Sequence, residues 1–235
     1  MNLFLLSQNK DSLRQEGRLF KKISFIIAFI SILWLSCTPA ALKDSIRWVT
    51  MEDIARSLDG EPRLNVGFDI DDTLLFSSPG YYYGQNRYSP GNDDYLNMEE
   101  FWNEMNNCLD RFSLPKECGR KLIELHKKRG DSIYFITGRK ETKTETVTEI
   151  LAETFGLKNP NRVIFTGSGA GENPKIKPIK EYQIKIFYGD SDSDIKAAQA
   201  AGIRAVRVMR AGNSSHRPLP KAGRFGEEVL VSSEY

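Results

Sequence analysis

Three carboxylates lie close together in the stretch NVGFDIDDTLLFSSPG, residues 65–80, where Asp69, Asp71 and Asp72 follow a hydrophobic, strand-like run. Side chains alternate along an extended strand, so Asp69 and Asp71 are predicted to share one side and Asp72 to face the other. A buried carboxylate is costly unless it is paired with a cation or hydrogen-bonded. The pair therefore indicates a site whose chemistry needs negative charge.

A second group of acids, Asp190, Asp192 and Asp194, follows the hydrophobic run IKIFYG. A few oxygen-only ligands suit a hard cation that keeps several waters, which favours Mg²⁺. Neither group fits a calcium-binding EF-hand, because counting from Asp69 or Asp190 finds no Gly at the sixth position and no Glu at the twelfth. Asp192 is predicted to be solvated or to lie behind the ligands.

The elements that must position these acids alternate between strands and helices. RLNVGFD, SIYFIT, RVIFT, IKIFY and RAVRVM read as strands, and TMEDIARSLDG, TKTETVTEILAETFG and SDIKAAQAAG read as helices. This order predicts an α/β fold, a Rossmann-like parallel sheet flanked by helices. Ligands of such sheets bind at the carboxyl ends of the strands, where Asp69, Thr137 with Gly138, Thr166 with Gly167, and Asp190 are predicted to collect.

An insertion at about residues 79–131 interrupts this alternation after the first acid-bearing strand. It opens with PGYYYGQNRYSPGNDDY, to which no helix or strand is assigned, and continues with helical runs near Met98–Leu109 and from Pro115 to Gly130. The insertion is predicted to be a small, largely helical unit. Most of its many aromatic side chains are expected to pack this unit or a subunit contact.

Residues 1–40 differ from the remainder of the chain. Basic residues precede the uncharged run ISFIIAFISILWLS, and small residues follow it. A positive segment before a short apolar one predicts a secretory signal peptide, cleaved after Ala40, because the run is shorter than the roughly 20 residues of a membrane span. An uncleaved anchor and a lipid on Cys37 are the alternatives. Residues 41–235 would then be the folded domain.

The charge balance gives no reason to expect a nucleic acid polymer as partner. Residues 1–40 contain five of the 33 Lys and Arg and two of the 31 Asp and Glu, so the predicted mature chain is close to neutral. It keeps Cys108 and Cys118, which could pair in an oxidising compartment or serve as small hydrophobic side chains.

Four short motifs, DIDDT, ITGR, the lysine of GENPK, and GDSDSD, occur in this order at or near predicted strand ends. Together they resemble the motifs of the haloacid dehalogenase-like (HAD) phosphohydrolases. The longer stretches VGFDIDDT with FSSPG, TGR with TKTETV, YGDSD and FGEEV are similar to the class B nonspecific acid phosphatases, which are secreted bacterial enzymes. This similarity runs from about Trp48 to Tyr235.

The resemblance implies a role for each motif acid. Asp69 would be the nucleophile that forms an aspartyl-phosphate, and Asp71 would protonate the departing alkoxide and then activate water. Mg²⁺ would be held by the Asp69 carboxylate, the Asp71 main-chain carbonyl and Asp190.

The resemblance also implies how substrate is bound. Thr137 and the Gly138 amide would bind phosphoryl oxygens, and Lys175, rather than its neighbours Lys177 and Lys180, would balance the negative charge. By the same resemblance, the insertion at about residues 79–131 would be a small helical cap. Its Tyr81, Leu96 and Trp102, with His216 from the C-terminal tail, would line a pocket for the leaving group.

The function predicted is that of a periplasmic, Mg²⁺-dependent acid phosphatase acting on many phosphomonoesters, including nucleotides and aryl phosphates. The resemblance also implies that the protein transfers phosphate to other acceptors and forms a homotetramer. After processing, no stable membrane association is expected. The alternatives are a membrane-anchored lipoprotein phosphatase of the same superfamily and a non-catalytic protein that binds phosphate esters. The presence of Asp69, Asp71, Lys175 and Asp190 disfavours the non-catalytic alternative.

Overall fold

The computed structural model describes residues 46–169 and 171–235. The predicted signal peptide lies outside the described residues. The strands are β1 Arg47–Val49, β2 Asn65–Phe68, β3 Leu75–Phe76, β4 Leu114–Pro115, β5 Ser132–Thr137, β6 Ile164–Phe165, β7 Ile184–Gly189, β8 Arg204–Arg207 and β9 Glu228–Leu230.

Seven of these strands form one parallel sheet in the order β1-β9-β8-β7-β2-β5-β6. The acid-bearing strands β2 and β7 are neighbours at its centre, so their carboxyl ends open side by side. Two strands of this sheet, β1 and β9, are not predicted from the sequence, and neither are β3 and β4, which pair with each other outside it. β1 and β9 pair with each other at the sheet edge, and each has only three residues, too few to show a period.

The α-helices are Met51–Ser57, Ser78–Tyr88, Glu99–Asn107, Glu117–Arg129, Val147–Phe155, Ile176–Glu181 and Asp192–Ala200. The first begins with a capping box between Thr50 and Asp53, as its sequence predicts. None of the helices in the described part of the chain is long and apolar enough to cross a membrane.

The segment after Ser77, for which the sequence predicts neither helix nor strand, is the helix Ser78–Tyr88. Its proline lies in the first turn, where the missing N–H is not needed. Its glycines serve close packing, because a Cβ on Gly84 would come within 2.2 Å of the Phe101 ring. Two glycines and four tyrosines hid the helical period, and the helix forms because the helix Glu99–Asn107 packs against it.

The hydrophobic core of the insertion is separate from that of the sheet. It consists of Tyr81, Tyr95, Phe101, Trp102, Met105 and Leu109. The helix Glu117–Arg129 contributes Cys118, Leu122 and Ile123 to the main core instead. Cys118 is a buried thiol that contacts the carbonyl of Ser233, and Cys108 is an exposed thiol.

Candidate active site

The turn after β2 places the first acids at the carboxyl edge of the sheet. The Asp69 amide donates to the carbonyl of Tyr188, which extends the β2–β7 pairing by one residue. Asp72 adopts a left-handed backbone conformation with φ 58°, which Asp tolerates better than most residues. Asp69 and Asp71 therefore line a common cavity, whereas the Asp72 side chain turns away from it, as strand alternation predicts.

Asp69 shares a buried cation with a second carboxylate. The Nζ atom of Lys175 lies 2.5 Å from Asp69 Oδ1 and 2.6 Å from Asp194 Oδ1. Burial would lower the pKa of Lys175, but these two carboxylates raise it above its ordinary value, so the ammonium persists. Burial raises the pKa of Asp69, and the charge of Lys175 opposes this rise. The negative charges of Asp194 and Asp190 raise the pKa further. Asp69 is thus a desolvated carboxylate with Lys175 as its contacting cation.

Asp71 is held by a different cation. Arg139 donates from Nε and Nη2 to the two Asp71 oxygens at 2.9 and 2.7 Å, and it also contacts Asp110 of the cap. The hydroxyls of Ser77 and Tyr81 donate to Asp71 as well. Burial alone would raise the pKa of Asp71, but the charge and hydrogen bonds of Arg139 hold it well below its usual range. In this arrangement Asp71 is ionised.

Asp190 is paired with a third cation. The Nε atom of Arg210 donates to Asp190 Oδ2 at 2.6 Å and lies 3.6 Å from Asp72 Oδ2. Arg207 donates to the main-chain carbonyl of Asp190 and thereby fixes the strand end. Burial raises the pKa of Asp190 although Arg210 opposes the shift. Each of the three cations Lys175, Arg139 and Arg210 is therefore shared between two carboxylates.

The acid cluster fits a divalent metal ion. Asp69, Asp190 and Asp194 are all buried, and each offers one oxygen within 4.8 Å of the others. A Cβ on Gly189 would overlap the Asp194 side chain at 2.3 Å, so the glycine allows this approach. With three cations for six carboxylates, the site keeps an excess of negative charge, and its oxygen donors suit a hard cation.

The other acids of the second group separate in the structure. Asp192 accepts from Arg207 and Arg224 and takes no part in the cluster, which agrees with its predicted place behind the ligands. Asp194, which the sequence prediction left without a role, lies within the cluster and also caps the helix Asp192–Ala200 through Ser191.

The predicted phosphate-binding residues lie beside the acids. Gly138 lines the same cavity as Asp69 and Asp71. Thr137 is fully buried, and its hydroxyl accepts from the Arg139 amide at 3.2 Å. Lys177 and Lys180 are exposed, and Lys175 is the lysine of this segment that reaches Asp69.

The structure brings the four predicted pocket residues to the cavity, which has a volume of about 230 Å³ and is lined by Tyr81, Leu96, Trp102 and His216 beside the acids. Tyr81 and Trp102 are also part of the cap core, with ring centroids 6.2 Å apart. The Trp102 indole N–H donates to the carbonyl of Leu96. The cap residues thus combine packing with a position on the cavity wall.

Sequence reasoning did not assign Arg139, Asp110 or Arg210. Arg139 stands directly after Thr137 and Gly138 in ITGR. Because so many acids need further counter-charges, a basic residue in this motif could have been predicted to pair with one of them. Asp110 and Arg210 gave no signal, because they come from the cap and from the segment after β8.

Comparison with known proteins defines the class of enzyme first. The sequence profile of the HAD superfamily, subfamily IIIB (acid phosphatase), matches residues 43–218. Among solved structures, one named as a β-phosphoglucomutase of Bacteroides vulgatus shares the fold, with a TM-score of 0.50 at 15% identity, over 78% of this chain and 90% of that chain. The predicted parallel α/β fold is confirmed.

Individual relatives of high identity show which family within this subfamily the chain belongs to. A class B acid phosphatase of Rahnella sp. (strain Y9602) is 56% identical over 207 residues, which cover 86% of this chain and 87% of that protein. A second, from Salmonella arizonae, is 57% identical over 192 residues and 81% of both chains. The chain therefore belongs to the class B acid phosphatase family, whose members are phosphomonoesterases, and the resemblance predicted from the motifs is confirmed.

Proposed function

We propose that the protein hydrolyses phosphomonoesters with Mg²⁺ as cofactor and through an aspartyl-phosphate on Asp69. One observation carries this proposal: Asp69 is buried at the cavity wall, with Lys175 on one oxygen and the acids Asp190 and Asp194 around it. This arrangement keeps the Asp69 carboxylate shielded from water and beside Lys175, whose positive charge a phosphate dianion requires. It supports a nucleophile better than a simple anion-binding site, where so many acids would repel the ligand.

Asp69 and Asp190, with the main-chain carbonyl of Asp71, would hold the metal. Asp194 would hold the Lys175 ammonium beside Asp69. The bound ion supplies positive charge for the phosphoryl oxygens. The remaining positioning belongs to the protein: the Thr137 hydroxyl, the Gly138 amide and Lys175 donate to the phosphate. Such electrostatic stabilisation suits a loose phosphoryl-transfer transition state.

The reaction then takes two steps. An oxygen of Asp69 attacks phosphorus, the bond from phosphorus to the leaving oxygen breaks, and that oxygen takes a proton from Asp71. In the second step Asp71 takes a proton from water, the water oxygen bonds to phosphorus, and Asp69 is released as a carboxylate. Because Arg139 holds Asp71 ionised, Asp71 must loosen this contact to gain a proton before the first step, which acidic conditions favour.

The pocket supports a broad range of leaving groups. Tyr81, Leu96 and Trp102 offer ring and aliphatic surface, and an aromatic contact contributes about 1–3 kcal/mol per stacked base with little regard to its identity. Nucleotides and aryl phosphates are therefore the proposed substrates, and an alcohol that replaces water in the second step would make the enzyme a phosphotransferase. We propose no nucleic acid polymer as partner.

Hydrolysis of an aryl phosphate by the purified full chain tests the activity and its metal requirement. Activity should disappear with a chelator and return on addition of Mg²⁺, and Asp69→Asn should be inactive under all conditions. Chelator-resistant hydrolysis would disprove the metal requirement. Undiminished hydrolysis by Asp69→Asn would disprove the nucleophile.

Export to the periplasm, loss of the N-terminal segment and a homotetramer complete the proposal. The intact mass of protein recovered from a cell fractionation should show a mature N-terminus between residues 37 and 41 in the periplasmic fraction. A chain that begins at Met1 in the membrane fraction would show that the apolar run is an anchor. An acylated Cys37 would identify a lipoprotein phosphatase. Light scattering of the mature protein measures the subunit number.

A further inference from the structure

His216 is held in the cavity wall by a buried carboxylate. Its Nδ1 atom lies 2.8 Å from Asp72 Oδ2, which also accepts from the hydroxyl of Ser214 at 2.7 Å. The Asp72 side chain is 1% exposed, and its other oxygen has no partner among the described residues. One edge of the imidazole is therefore fixed against the protein interior.

Three further contacts fix the ring and its backbone. The ring stands edge-on to Tyr81, with the centroids 4.3 Å apart. The His216 amide donates to Ser214 Oγ, and its carbonyl accepts from Arg210. The position of His216 is therefore set by packing and hydrogen bonds, as a residue that selects substrates requires.

The opposite edge of the ring is available to a ligand. Nε2 has no partner among the described residues, and the side chain is 26% exposed at the cavity. The other polar groups of this wall are engaged, since the Trp102 N–H donates to Leu96 and the Tyr81 hydroxyl donates to Asp71. Within the described residues, Nε2 is thus an unpartnered polar atom beside the ring and aliphatic surface of Tyr81, Leu96 and Trp102.

The charged neighbours favour a ring that carries a proton on Nε2. Burial alone would lower the pKa of His216, but the hydrogen bond to Asp72 and the charges of Asp71 and Asp72 raise it, against Arg210. Nδ1–H points to Asp72, so the added proton resides on Nε2. A hydrogen bond from a charged donor is stronger than one between neutral groups.

We propose that His216 Nε2 donates a hydrogen bond to an acceptor on an aromatic leaving group, such as the carbonyl oxygen or ring nitrogen of a nucleobase. His216 would then be a specificity residue that favours nucleoside monophosphates over plain aryl phosphates. The inference rests on the proposed hydrolysis of phosphomonoesters and adds a polar contact to a pocket that otherwise selects by stacking.

Two variants separate the edges of the ring. His216→Asn keeps an amide near Nδ1 for Asp72 and removes the group at Nε2, whereas His216→Gln keeps an amide at the reach of Nε2. The measurement is the ratio of kcat/KM for uridine 5′-monophosphate to that for phenyl phosphate, at a mildly acidic pH. The ratio should fall about tenfold in His216→Asn, as expected for one hydrogen bond with a charged partner. In His216→Gln the ratio should stay within about threefold of that of the unaltered protein.

An unchanged ratio in His216→Asn would overturn the inference while the hydrolysis itself stands. Failure of the unaltered protein to hydrolyse either ester would overturn the proposed function and this inference with it. If His216→Asn does not fold, competitive inhibition of the unaltered enzyme decides the point. Uridine should then bind at least about tenfold more tightly than phenol, and equal inhibition constants would disprove the contact.

Discussion

Replacement of Lys175 by methionine removes the cation that Asp69 and Asp194 share. Methionine has a similar length, so the change removes charge and hydrogen bonds with little loss of volume. The side chains of Lys175, Asp69 and Asp194 are 8%, 8% and 1% exposed, so water cannot replace the lost cation. The variant therefore leaves these carboxylates without their shared counter-charge.

The expected magnitude follows from this burial. Breaking a buried ion pair by removal of one partner costs about 3–5 kcal/mol. For a domain of this size 1 kcal/mol corresponds to about 2–4 °C in Tm, so Lys175→Met should melt about 6–20 °C lower in the absence of metal. Loss of a preorganised donor to the phosphate should also lower kcat about 10²–10³-fold.

Thermal unfolding with chelator and with excess Mg²⁺ is the assay, together with hydrolysis of an aryl phosphate. Mg²⁺ should raise the Tm of Lys175→Met more than that of the unaltered protein, because a dication replaces part of the missing charge. Lys177→Met is the matched control, since Lys177 is exposed and should change stability by about 0.5 kcal/mol or less. If Lys175→Met melts and reacts like Lys177→Met, the assignment of Lys175 is wrong.

Two other predictions concern Asp71 and the cap. The pKa of Asp71 lies below its ordinary value of 3.8 in the folded protein, so its contribution to stability is present above about pH 4 and is lost as pH falls further. The difference in unfolding free energy between the unaltered protein and Asp71→Asn should thus shrink from pH 6 to pH 3, and a constant difference would contradict the Arg139 pairing. Trp102→Ala should lower kcat/KM for phenyl phosphate and nucleotides more than for glycerol phosphate, whereas a uniform loss would show that Trp102 only packs the cap.

The sequence predicted the central part of the fold well, because its strands are hydrophobic and its helices are periodic. The alternation around β2, β5 and β7 is confirmed, and acids at the ends of β2 and β7 meet because these strands are neighbours. The short strands β1 and β9 were missed, as were β3 and β4, because two or three residues carry no period. The helix Ser78–Tyr88 was missed because packing, not propensity, determines it.

The acids of the site were predictable from the residues themselves where one motif carries its own chemistry. Asp69 and Asp71 are recognisable from their spacing alone. The counter-charge of Asp190 and the second carboxylate bound to Arg139 were not recognisable, because Arg210 and Asp110 reach the site from distant segments through tertiary packing. The same is true of the contact between Asp72 and His216, which spans 144 positions of the chain.

The covalent intermediate on Asp69 tests the account most directly. Asp71→Asn should form the intermediate with an aryl phosphate, because a good leaving group needs little protonation, and should hydrolyse it slowly. Rapid acid quench and peptide mass spectrometry should then locate one phosphoryl group on Asp69, and Asp69→Asn should give none. A phosphoryl group on another residue, or none during demonstrated turnover of Asp71→Asn, would contradict the role assigned to Asp69.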